Sequence, residues 1–161
     1  MIDEFFRITK TLNANLGITP LLYGSLGLGK LLNHDFNPHD IDFLVPQKYV
    51  QHEWICFMSL IEKLGYSLVD LHEHKFSNGK HNIAFGGIER LKKDIDITPD
   101  QIETIEESGC VYKLLNLQQY LKAYEFSSKD GYRRNKNNNK DFIKIERIKL
   151  VLQSRAQLEK L

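Results

Sequence analysis

Two cysteines in 161 residues, Cys56 and Cys110, are too few for a disulfide framework, and without a C-x-x-C they indicate no zinc ribbon either. Both read as reduced, packed thiols. No apolar run approaches the ~18 residues that a membrane span needs, and "MIDEFFRITK" has acids where a secretory signal needs positive charge. These absences argue against a membrane partner and make the cytoplasm the expected location. Internal repeats are lacking, and the only biased stretch is the Asn/Lys run at 135–140. Charge of one sign is lacking too, with a formal net of +1 at pH 7.

What is present is an ordinary soluble composition, 42% hydrophobic and 27% charged, at a length suited to one domain around one cleft. The near-zero charge conceals a division. Residues 129–149 hold eight Lys/Arg against three Asp/Glu, whereas residues 1–128 hold twelve against seventeen. Duplex nucleic acid would need a broad basic face. An acidic body with a basic C-terminal segment suits instead an anionic substrate held between metal-binding acids and a basic flap. The expected organisation is an α/β domain over residues 1–128, with a basic loop and C-terminal helix over 129–161 packed on it.

Phe5, Phe6, Ile8, Leu12 and Leu16 fall at helical spacing after Asp3 and before Gly17. "TPLLYG" reads as a buried strand, "SLGLGKLL" as a brief helix and "IDFLV" as a second strand. A core helix is expected over Tyr49–Leu64, closed by Gly65. "YSLVDLHE", "HNIAFGG" and "RLKKDIDIT" read as three more strands, with "SNG" at 77–79 as a turn between the first two. Thr98-Pro99 opens a short acidic helix, Asn116 caps "LQQYLKAYEF", and a last helix starts near Asp141. The sum is an α+β body with a mixed sheet flanked by helices and closed by C-terminal helices.

Two phosphate sites are written over each other in "YGSLGLGKLLNHDFNPHDIDFLVP", residues 23–46. From Gly24 it gives G-x-x-x-x-G-K, but Lys30 is followed by Leu31 where a P-loop needs a metal-binding hydroxyl. The other reading is a Gly24-Ser25 turn followed by a strand carrying Asp40 and Asp42 on one face and Ile41 and Phe43 on the other. Adjacent carboxylates repel and recruit a divalent cation. "DIDIT" repeats the pattern with Asp94 and Asp96. Were the two strands neighbours, these acids would form a cage for two Mg²⁺ sharing phosphate oxygens with a substrate.

A hydrophobic strand ending in Gly-Ser, a short helix, a D-h-D strand and a later strand Asp resemble the polymerase-beta-like nucleotidyltransferases. The likeness is closest to the small bacterial lincosamide and aminoglycoside nucleotidyltransferases, and "NKNNNKDFIKIERI" resembles their K-D-containing helix. The resemblance implies that Gly24 and Ser25 hold a nucleoside triphosphate such as ATP, that Asp40 and Asp42 bind both metals, and that Asp96 or Asp94 supplies the third carboxylate. It implies Mg²⁺-dependent transfer of a nucleoside monophosphate to a hydroxyl of a small-molecule acceptor. A protein side chain as acceptor, as in antitoxin-type members, and a fold that binds without turnover are the alternatives. A homodimer stays open.

Three further groups stand out. Arg133, Arg134, Lys136, Lys140 and Lys144 are the richest supply of cations for a triphosphate, with Lys140 and Lys144 one helical turn apart. Asp70, His72 and His74 alternate as a zinc site would on a strand, or as an exposed edge strand would. Tyr120 and Tyr124 share helical spacing, as core packing or as a wall of the cleft.

Overall fold

The computed structural model describes residues 1–129 and 140–160. It is an α+β fold in which, among the described residues, one seven-stranded mixed sheet carries six helices. The helices are α1 (Ile2–Leu16), α2 (Gly24–Leu32), α3 (Trp54–Lys63), α4 (Arg90–Ile95), α5 (Leu117–Ser128) and α6 (Lys140–Glu159). The strands are β1 (Leu21–Tyr23), β2 (Asp40–Val45), β3 (Ser67–Asp70), β4 (Lys75–Ser77), β5 (Asn82–Gly87), β6 (Glu103–Glu107) and β7 (Cys110–Leu114), in spatial order β3-β4-β5-β2-β1-β7-β6. Among the described residues no helix is long and apolar enough to cross a membrane.

β2 lies at the centre, antiparallel to β1 and parallel to β5. Alternation sends Ile41 and Phe43 into the core and leaves the two aspartates on the other face. Phe43 stacks between Phe5 of α1, 5.1 Å away, and Phe85 of β5, 4.9 Å away, while Phe57 of α3 meets Phe85 edge-on. Burying these rings holds one face of the sheet shut and confines polar chemistry to the other.

Four segments depart from the sequence expectation: the strand expected over "YSLVDLHE" ends at Asp70, and an unforeseen strand, β4, follows it. The helix expected over Tyr49–Leu64 begins as a 3₁₀ turn at Gln47–Val50, and α3 proper starts at Trp54. The acidic helix after Thr98-Pro99 is a single 3₁₀ turn, Pro99–Gln101, followed by an unforeseen hairpin of β6 and β7. Its turn, Ser108-Gly109, has positive φ at both residues, the geometry that joins twisted antiparallel strands. "RLKKDIDIT" is a helix, not a strand. Arg, Leu and Lys favour that state, Leu91 and Ile97 bury, and Asp96 ends the helix at φ 57, its N–H on the Lys92 carbonyl and the Ile97 N–H on that of Leu91.

A polar clamp fastens α1 to the entry of β3. Arg7 donates to both oxygens of Glu4 and to the Leu64 carbonyl, and the Tyr66 hydroxyl donates to Glu4 at 2.5 Å. The Arg7 hydrogen bonds, aided by Tyr66, lower the Glu4 carboxyl from an ordinary 4.5 to about 2 against the opposing effect of burial. The clamp therefore contributes fully above the unfolded-state value and is lost as pH falls towards about 2. Thermal melts of Glu4→Gln should lie below wild type at pH 7, with the gap closing from about pH 4.5 downward. A gap that widens in acid would refute the assignment.

Packing of α2 on α5 needs Gly27. The Tyr120 hydroxyl, fully buried, donates to the Leu22 carbonyl at 3.0 Å. A Cβ at Gly27 would strike that hydroxyl and lie 2.6 Å from the same carbonyl oxygen. Gly27→Ala should therefore destabilise the fold by about 1–3 kcal/mol despite its better helix propensity, read by denaturant unfolding. Unchanged or raised stability would show that the helices separate freely.

Candidate active site

The site grows from the end of β1. Tyr23 pairs with Asp42 across the β1–β2 ladder, and the chain then turns at Gly24, φ 67, directly into α2. This is a backbone conformation that only glycine adopts without cost. A Cβ at Gly24 would collide with Oδ2 of Asp42, so the turn and the carboxylate are built against each other. The first amides of α2 have no intrahelical acceptor, which makes this end of the helix an anion-binding surface.

Asp40 and Asp42 share the exposed face of β2 beside this turn. With Gly24, Ser25, Lys140 and Lys144 they line one cleft of about 890 Å³. Oδ1 of Asp40 is buried without a hydrogen-bond partner among the described residues, and Oδ2 lies 3.2 Å from the Lys75 ammonium. A buried carboxylate oxygen lacking a donor, next to a second carboxylate, fits a divalent cation bound by Asp40 and Asp42.

The third carboxylate expected from "DIDIT" is not delivered. Helix α4 replaces the strand, so Asp94 and Asp96 do not alternate beside β2, and neither lines the cleft. Asp96 is exposed and pairs with Lys92 one turn earlier on the same helix. Among the described residues no three His, Cys, Asp or Glu side chains form a metal cluster. That also removes the zinc reading of Asp70, His72 and His74. β3 stops at Asp70, whose Oδ1 accepts the Glu73 amide in a turn, and His74 packs edge-on against Trp54 at 4.6 Å. Burial lowers the His74 pKa, with the charge of His72 adding to it.

Lys30 stands away from the cleft. Its ammonium pairs with Glu107 at 2.6 Å and sits over the Phe6 ring, so it is committed to β6 and α1 and does not line the cleft. The basic segment divides: Lys140 and Lys144 reach the cleft, while Arg133, Arg134 and Lys136 lie outside the described residues. Lys144 is 8% exposed, with its ammonium 5.2 Å over the Tyr124 ring. Of the two tyrosines, Tyr120 is core and Tyr124 is a buried wall of the cleft.

Sequence reasoning missed Lys75 and Arg90. Arg90 lies over the Tyr23 ring and lines the cleft, and Gly86 leaves room for its guanidinium. Neither residue has a local signal, because each reaches the site through a sheet register or a helix start.

A central strand bearing paired aspartates beside a Gly-Ser helix start, in a mixed sheet flanked by helices, is a nucleotidyltransferase-like fold. Comparison with solved structures agrees. The solution structure of the antibiotic-resistance factor ANT(2'')-Ia matches with a TM-score of 0.52 and 12% identity, covering 99% of this chain and 96% of that one. The crystal structure of ANT(2")-Ia in complex with adenylyl-2"-tobramycin matches with a TM-score of 0.54 and 10% identity, covering 96% and 99%. No family model matches the sequence. The uncharacterized protein YnaI of Bacillus subtilis (strain 168) is 42% identical over 154 residues, 96% of this chain and 99% of its own length. The chain belongs to the YnaI family.

The junction at Gly24 is testable without knowing any substrate. Gly24→Ala forces a side chain into left-handed backbone, at about 1–2 kcal/mol, and into Asp42. Denaturant unfolding should show a loss of at least that size. Wild-type stability in this variant would mean that the turn relaxes away from the carboxylate.

Proposed function

We propose that the protein is a Mg²⁺-dependent nucleotidyltransferase that moves a nucleoside monophosphate from a nucleoside triphosphate to a hydroxyl of a small molecule, with pyrophosphate leaving. The observation that carries this reading is the contact of Gly24 with Asp42, which joins an anion-binding helix start to a cation-binding carboxylate pair in one cleft. Mg²⁺ would be held by Asp40 and Asp42, where it neutralises charge on the phosphates under attack. The amides at Gly24-Ser25 hold the triphosphate, and Lys140 and Lys144 approach the same cleft with charges that stay behind as pyrophosphate leaves. The acceptor's hydroxyl oxygen attacks the α-phosphorus, forming a new P–O bond as the bond to pyrophosphate breaks and the hydroxyl proton passes to water. The likeness to an aminoglycoside-modifying enzyme supports a small-molecule acceptor.

That Asp94 and Asp96 do not line the cleft favours a second reading, nucleotide binding without turnover. Pyrophosphate release separates the two when the protein is given each NTP, Mg²⁺ and a panel of hydroxylated metabolites and antibiotics. Asp42→Asn should lower turnover by on the order of a thousandfold, about 4 kcal/mol of transition-state stabilisation, while Lys30→Ala leaves it within a few-fold. NTP at ~100 times its dissociation constant should add about 2.7 kcal/mol of stability, and only with Mg²⁺ or Mn²⁺ present. Mg²⁺-dependent stabilisation with no acceptor anywhere in the panel would favour the binder. A severe Lys30→Ala defect beside a mild Asp42→Asn one would refute the site.

A further inference from the structure

The sheet register determines what faces the two aspartates. The cross-strand row through Asp42 runs from Tyr23 of β1 through Asp42 to Ala84 of β5 and Lys75 of β4. The next row runs from Asp40 to Asn82 and Ser77. Residues paired across a sheet share a face, so these are the positions from which β5 and β4 address the carboxylates. They hold a methyl group, an amide, a hydroxyl and an ammonium, and no acid. Ala84 is half-buried and small, and the Lys75 stem crosses beside it to bring Nζ within 3.2 Å of Asp40 Oδ2.

The charge count follows. Two divalent ions ~3.5–4 Å apart repel strongly and are held together by several shared carboxylates. In these two rows Asp40 and Asp42 carry two negative charges and Lys75 pairs with Asp40; Glu73, the other acid lining the cleft, comes from the turn between β3 and β4 and not from the rows facing them. Asp42, pressed against Gly24, and the buried Oδ1 of Asp40 can still serve one ion beside the phosphate-binding turn. A second ion placed towards β5 would meet Ala84 and the ammonium. We infer that the site takes one divalent cation per chain, and that Lys75 supplies the positive charge that a second ion would otherwise bring.

This inference rests on the nucleotidyltransferase reading, and counting ions separates its failure from the failure of that reading. The full chain is titrated with Mn²⁺ and an ATP analogue bridged by methylene between the α- and β-phosphates. Bound Mn²⁺ per bound analogue and its electron paramagnetic resonance spectrum are then measured. Wild type should hold one ion with the six-line spectrum of isolated Mn²⁺. The double variant Ala84→Asp, Lys75→Ala, which places an acid opposite Asp42 and removes the ammonium, should hold two, with the broadened spectrum of a spin-coupled pair. A coupled pair in wild type overturns the inference and leaves the nucleotidyltransferase reading standing. A double variant that melts like wild type yet holds one ion also overturns it, because Ala84 and Lys75 would not be the reason. The wild-type count needs no variant to fold. Absence of any bound Mn²⁺ and analogue in wild type withdraws both readings together.

Discussion

The pairing of Tyr23 with Asp42, continued by the left-handed turn at Gly24, is the constraint on which the rest of this molecule depends. One hydrogen-bonded register does three things there. It ends β1, starts α2 with its free amides directed at the cleft, and seats a carboxylate where any side chain on residue 24 would collide with it. Helix-start amides attract negative charge, and a paired carboxylate attracts positive charge. The register holds an anion-attracting and a cation-attracting group side by side.

The apolar side of the sheet makes that arrangement rigid. Phe5, Phe43, Phe57 and Phe85 come from four different elements and interlock under β2 and β5. Because side chains alternate along β2, the burial of Ile41 and Phe43 obliges Asp40 and Asp42 to the opposite face. A one-residue slip would exchange rings for carboxylates, so the core enforces the chemistry. On the open side α6 packs against α5 and brings Lys140 and Lys144 to the cleft. Lys140 and Lys144 thus meet Asp40 and Asp42 at the cleft.

Charge at the site is balanced differently from what four strand aspartates would have produced. Asp94 lies in α4 and Asp96 caps it, where Lys92 pairs with Asp96, and Lys75 pairs with Asp40. Arg90 and Lys144 add further cations at the walls, each lying over a tyrosine ring. The cleft is a mixed surface in which Asp40, Asp42 and Glu73 stand among bases. That suits an anionic triphosphate carrying few metal ions.

The amino-acid sequence by itself determined the features that depend on neighbours along the chain. These are the face-sharing of Asp40 and Asp42, the Gly24-Ser25 turn, the amphipathic first helix and the spacing of Lys140 and Lys144. Local sterics and periodicity are sufficient for each. "RLKKDIDIT" marks the limit of that legibility: its alternation is as good as that of "DIDFLV", yet Leu91 and Ile97 find burial only as a helix and the residue following it. Only the tertiary structure decided that Lys30 answers Glu107, that Lys75 answers Asp40, and that Ala84 stands opposite Asp42. The physical reason is that strand register and helix docking are set by the whole buried core at once, and the partner of a charge is whichever group that packing brings within reach.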